Sequence, residues 1–176
     1  MLHYIYSCDP AVILLLTAVL LAAWGYLCVK ICKSRWQCVN LLLTIAAVAA
    51  ILYTTLMTRE PGPSLVVLKP FTKFAAARTQ PELYREMLMN IFLFFPLGLT
   101  LSNALPQRLN RWVRIGITTL FACLLSTVIE YTQYHFSLGM AETDDVTCNT
   151  LGAFIGSTSL IIAHAIENIR KGHGTP

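Results

Sequence analysis

Glu130 is the residue whose chemistry most needs an explanation. It interrupts an apolar run that begins at Ile115, and Ser126 and Gln133 lie four residues before it and three after, on the same helical face. Two other sets obey the same spacing. Glu86 stands with Asn90, directly after Arg85, and Asp145 stands with Asn149, Gly152 and Gly156. Carboxylates and amides arranged this way can hold a polar head group, exchange a proton or lock one helix to another. A charged carboxylate at the centre of a bilayer costs about 2.5 to 3.5 kcal/mol, so Glu130 calls for a partner. Arg85 and Arg59 are the basic candidates, and Asn90, Gln133 and Asn149 can supply amide hydrogen bonds.

The remaining signals are weaker. Glu142, Asp144 and Asp145 form an acidic turn placed to cap the helix that follows. His135 stands close enough in sequence to join those acids around a divalent cation or a proton, although a solvated loop histidine is the commoner case. Cys28, Cys32 and Cys38 do not have zinc spacing and read as small packing residues, with lipidation of the first two as an alternative. Cys8 and Cys148 would both be external, but Cys148 falls within its helix, so a bridge between them is not expected. No phosphate-binding glycine loop, Gly-x-Ser-x-Gly elbow or zinc-protease helix is present, so neither a cofactor nor a metal is expected.

The elements that carry these residues are legible from the charges. Of 176 residues, 56% are hydrophobic and 12% charged, against roughly 25% charged in an ordinary soluble domain. Uncharged stretches run from Pro10 to Val29, Trp36 to Thr58, Met87 to Gln107 and Val146 to Ile166, each at least 20 residues long. About 20 apolar residues cross a bilayer as a helix. A fifth stretch, Ile115 to Ile129, spans only if Glu130 lies at its far end. The expected fold is therefore all-α, a polytopic membrane protein of about five transmembrane helices. Residues 1–58 carry the first two spans, retained and not cleaved as a leader. Residues 59–86 form a 28-residue external or re-entrant segment, residues 87–169 carry three further spans, and residues 170–176 are a cytoplasmic tail.

Lysine and arginine in short loops stay in the cytoplasm. Lys30, Lys33 and Arg35, then Arg108, Arg111 and Arg114, then Arg170 and Lys171 alternate correctly for an outside N-terminus and a cytoplasmic C-terminus. The net charge of +4 is spread over these loops and not gathered on a polar face, so no nucleic-acid partner is expected. One segment breaks the pattern. Residues 59–86 should be external yet carry Arg59, Lys69, Lys73, Arg78 and Arg85, and their prolines at 61, 63, 70 and 81 should break any helix.

The residues singled out above are also those through which the chain resembles the VanZ-like family of bacterial membrane proteins. The pattern reads Arg85-Glu86 and Asn90, then Phe95-Pro96-Leu97-Gly98, then Ser126, Glu130 and Gln133, then Asp145-Val146 with Asn149, Gly152 and Gly156, over about Leu65 to Ile166. An upstream Asn-Leu-x-Pro-Phe element common in the family keeps Pro70-Phe71 but has Val67 in the asparagine position. Gly139 stands where some members carry an arginine. The resemblance implies a bacterial plasma-membrane protein of the cell envelope, associated in its namesake with low-level resistance to teicoplanin, a lipid-tailed glycopeptide.

Three functions follow as expectations. The first is an outer-leaflet polar pocket formed by Arg85, Glu86, Asn90, Ser126, Glu130, Gln133, Asp145 and Asn149, with Gly98, Gly152 and Gly156 as helix-packing positions. Its partners would be membrane lipids and a lipoglycopeptide or lipid-linked cell-wall precursor. The second is a membrane-embedded enzyme on a lipid-linked substrate, for which no nucleophile is visible. The third is a small proton-coupled transporter.

Overall fold

The computed structural model describes residues 35–59, 65–67 and 69–161. The expected first span, the end of the fifth and the C-terminal tail lie outside the described residues, as do Cys8, Cys28 and Cys32. Helix α1 (Arg35–Leu52) continues into a π-helix, Tyr53–Met57. A two-residue strand β1 (Val66–Val67) and a one-turn helix α2 (Thr72–Ala76) lead to α3 (Pro81–Ala104). Then come α4 (Arg111–His135), strand β2 (Ala141–Glu142) and α5 (Thr143–Ser157).

Among the described residues, three helices are long and apolar enough to cross a membrane: Arg35–Met57, Pro81–Ala104 and Arg111–His135. Each overlaps an uncharged stretch and begins before it, while the first two end one and three residues short of it. Pro81 opens α3 where the sequence suggested a helix breaker, because proline at the first helical position loses no hydrogen bond and already has a helical φ. The segment between the second and third spans therefore ends at Gln80. Asn110 starts α4 by accepting a hydrogen bond from the Trp112 N–H, 3.0 Å away.

Burial runs opposite to that of a soluble protein. Trp36, Phe92, Leu120, Val128 and Tyr131 are each about 60% or more exposed, while Ser102, Thr118, Ser126, Ser157 and Gln133 are at most 1% exposed. Apolar exteriors around hydroxyl and amide contacts suit helices whose solvent is lipid. Ile51, Phe94, Leu97, Ala122, Ile129 and Ala153 supply the apolar core.

Small residues set the helix directions. A Cβ on Gly152 would stand 2.1 Å from the Ile91 carbonyl oxygen, and one on Gly156 would stand 2.2 Å from that of Phe95, one turn further along both helices. Helices α3 and α5 therefore run parallel with their backbones in contact, and Gly98 meets Ala153 in the same seam. Pairing of Thr44 with Thr100 (3.1 Å) and of Gln37 with the Leu105 carbonyl (3.4 Å) makes α1 antiparallel to α3. Helix α4 returns between them: Arg114 donates from Nε to the Ser102 carbonyl (2.9 Å) at one end, and Ser126 meets Asn149 toward the other. Arg114, expected as a topological charge, is 7% exposed and satisfies a carbonyl at the C-terminal end of α3.

The fold is not wholly helical. β1 and β2 pair in parallel, Val66 with Ala141 and Val67 with Glu142, which ties the segment before α2 to the turn before α5.

Candidate functional site

The site lies where the ends of α4, the start of α5 and the segment around α2 meet, and it is built around a lysine. Thr72–Ala76 is too short to be stable alone. Its N-terminus is held from outside: Asp144 accepts from the backbone N–H of Phe71 at 2.5 Å and of Lys73 at 2.7 Å. Phe71 takes a left-handed backbone (φ 66°) to present that N–H. The acidic turn was expected to cap its own helix, but Glu142 makes no side-chain cap and Asp144 caps α2 instead. The first N–H groups of a helix have no intrahelical acceptor, and Asp144 supplies one from beyond the β1–β2 pair.

With α2 anchored, Lys73 turns inward. Its ammonium lies 2.9 Å from Glu142, 3.0 Å from Asp145 and 3.6 Å from Glu86. Its side chain is 13% exposed and those of Glu142 and Asp145 are 8% each, whereas Glu86 is 59% exposed. Burial alone would lower the lysine pKa, but the charges of Asp145 and Glu142 and their hydrogen bonds more than reverse this, so the ammonium is held above the ordinary lysine range.

Glu130 joins from α4. Its Oε2 accepts from the backbone N–H of Glu142 at 3.0 Å. Of the two arginines expected to partner it, Arg59 acts on Glu130 electrostatically, as does Lys73. Deeper on the same face of α4, Ser126 Oγ accepts from Asn149 Nδ2 at 2.9 Å. Gln133 donates to the Thr55 carbonyl at 2.9 Å, within the π-helical turn where the normal backbone ladder is displaced. Asn149 Oδ1 and Gln133 Oε1 are buried without a partner among the described residues.

Of the residues expected to act together, Glu86, Glu130 and Asp145 join the Lys73 cluster, Ser126 and Asn149 bond to each other, and Gln133 bonds to the Thr55 carbonyl. Arg85 is exposed and Asn90 half-buried, and neither joins these bonds. His135 is exposed, stacked on Tyr131 at 6.1 Å and edge-on to Phe136, so its surroundings are aromatic. Cys148 is fully buried as a free thiol. Gly139, where the family arginine is missing, has φ 142°, and a Cβ there would stand 3.1 Å from Nη1 of Arg59. A guanidinium thus reaches that neighbourhood from the end of the π-helix. Lys73 and Asp144 were missed as site residues. The only signal for Lys73 was the excess of basic residues in a segment that should have few.

Arranged this way, the cluster can hold charge balance at a helix end and offer carboxylates and amides to a polar group. Among the described residues it shows no nucleophile beside a base. Protein VanZ of Enterococcus faecium is 35% identical over 75 residues, which is 42% of this chain and 42% of that protein, so the match spans less than half of the relative. No solved structure matches. A family model described as VanZ/LLP1 matches residues 15–164, reaching about fifty residues further toward the N-terminus than the motif residues themselves. The chain therefore belongs to the VanZ-like family.

Proposed function

We propose that this protein acts in the bacterial cell envelope as an integral membrane protein that lowers susceptibility to teicoplanin-type lipoglycopeptides, through the polar cluster around Lys73 and Glu130 at the outer leaflet. The observation that carries this reading is a charged, mostly buried assembly at the bundle end opposite Arg108, Arg111 and Arg114, in a chain of the VanZ-like family. Basic loops mark the cytoplasmic side, so the Lys73 end faces out, with the N-terminus outside and the C-terminus inside. The glycine seam already packs α3 against α5, so the charges gathered at the bundle end go beyond what that packing needs.

The test uses a susceptible Gram-positive host expressing this protein alone, challenged with a lipid-tailed glycopeptide and with one lacking the tail. The expected result is tolerance selective for the tailed drug. Glu130→Gln keeps an acceptor for the Glu142 N–H and removes the charge. If recognition needs the acid, the Gln variant accumulates normally and loses tolerance. Equal sensitivity to both drugs with and without the protein, at confirmed expression, removes the resistance reading.

A second reading, proton-coupled transport, draws on the position of Glu130 within a span and 7% exposed. Dissipation of a pH gradient in proteoliposomes, abolished by Glu130→Gln, distinguishes it.

A further inference from the structure

The basic residues of the segment before α3 are not all accounted for by the cluster. Between Leu65 and Arg85 the chain carries Lys69, Lys73, Arg78 and Arg85 against one acid, Glu82. Lys73 serves the acidic turn, while Lys69, Arg78 and Arg85 remain exposed. Charges of this sign on a segment outside the cytoplasmic loops work against topology, so they need a local counter-charge.

The same segment forms one wall of a groove. It has a volume of about 500 Å³ and lies between α2 and the first three turns of α3. Phe74 and Ala77 line one side and Met87 and Ile91 the other, with Arg78 and Tyr84 also on its lining. The volume lies in the range of about 300 to 1,000 Å³ typical of small-molecule sites. Tyr84 is 56% exposed near the start of a membrane-spanning helix, the level at which tyrosine favours the boundary between acyl chains and head groups. An apolar cleft at that depth, with the exposed Arg78 on its lining, matches an amphiphile with an anionic head.

We propose that this groove seats one acyl chain of an anionic phospholipid of the bilayer, with the Arg78 guanidinium paired to the phosphodiester. Phe74, Ala77, Met87 and Ile91 contact the chain, and the Tyr84 hydroxyl borders the head group. The site is separate from the Lys73 cluster. The inference rests on the chain being a membrane protein with this segment on the outer side, as proposed above, and not on any role in drug tolerance.

Full-length protein in nanodiscs would be photolabelled with phosphatidylglycerol or phosphatidylcholine carrying a diazirine in the acyl chain, and labelled peptides mapped by mass spectrometry. Phosphatidylglycerol should label the peptides holding Phe74 and Met87 more strongly than phosphatidylcholine. Arg78→Gln should reduce that labelling about fivefold, the effect of one basic residue at an anionic surface, and leave phosphatidylcholine labelling unchanged. Ala77→Trp should suppress labelling by both. Arg78 is exposed, so its replacement keeps the test valid even if Ala77→Trp does not fold. Equal labelling by both lipids in the wild type and in Arg78→Gln overturns the proposal. So does displacement of the label by an isoprenyl phosphate but not by excess phosphatidylglycerol, which would assign the groove to a different lipid.

Discussion

Removing the Lys73 charge is the sharpest perturbation the structure suggests. Lys73→Met keeps most of the stem that crosses the α2 surface but strands the carboxylates of Glu142 and Asp145, each 8% exposed and at 2.9 and 3.0 Å. Breaking a buried ion pair by removing one partner costs about 3 to 5 kcal/mol, because the remaining charge cannot be rehydrated. The third contact, to Glu86 at 3.6 Å and 59% exposed, adds at most about 1 kcal/mol. The predicted cost is therefore about 3 to 5 kcal/mol. Denaturant unfolding in detergent near neutral pH measures it directly. Adding Asp145→Asn to Lys73→Met relieves one stranded charge and should recover about 1 to 3 kcal/mol, the coupling of groups in one network. A cost below about 1 kcal/mol for Lys73→Met, or no recovery in the double variant, would show that water reaches the cluster and that the lysine does not hold it together.

Three further outcomes are expected. Because the folded Lys73 pKa lies above its ordinary value of 10.5, its stabilising contribution is complete below that value and fades as the pH rises through the folded one; the stability gap between wild type and Lys73→Met should hold from about pH 7 to 10 and shrink above that. Gly152→Ala drives a Cβ to 2.1 Å from the Ile91 backbone and should cost about 1 to 3 kcal/mol or more; Gly116→Ala meets nothing within 4 Å and should be neutral or stabilising by up to about 1 kcal/mol. Asp144→Ala removes the cap of α2 and should cost about 1 to 2 kcal/mol, with hydrogen exchange accelerated at the Phe71 and Lys73 amides; unchanged exchange there would show that α2 is held by something else.

Much of the helical scaffold was legible because lipid imposes a long uncharged run on every span, and three of those runs match helices suited to crossing a membrane. What charge gaps cannot show is where a helix extends into the interface. Pro81, Glu82 and Glu86 belong to α3, and Arg111 and Arg114 belong to α4, since polar residues at a helix end cost little near head groups. The glycine positions were legible by their spacing, but their use in a parallel α3–α5 seam depended on the direction of both helices. The π-helical turn at Tyr53–Met57 left no mark in a sequence that simply reads as apolar.

The polar cluster was legible where its members share a helix and illegible where they do not. Ser126, Glu130 and Gln133 announce themselves by spacing, whereas Lys73 and Asp145 stand 72 residues apart and meet only because β1 pairs with β2. That pairing also explains the fate of Glu130. In a parallel ladder, alternate residues direct their backbone groups to opposite sides. Ala141 sends its N–H to the Leu65 carbonyl at 2.9 Å, so the N–H of Glu142, next along the strand, points away from β1 and finds Glu130 at 3.0 Å. The Glu142 N–H is buried on the outer edge of this two-residue strand, and a carboxylate from α4 supplies the acceptor it needs. Glu130 thus has a structural bond of its own, which is why Gln and Ala at this position separate the two roles. Gln preserves the acceptor for the strand edge and removes only the charge, so a variant that folds and accumulates as wild type yet loses its phenotype isolates what the charge does. If Gln is fully active while Ala fails to accumulate, the edge bond is the whole reason for an acid at that depth.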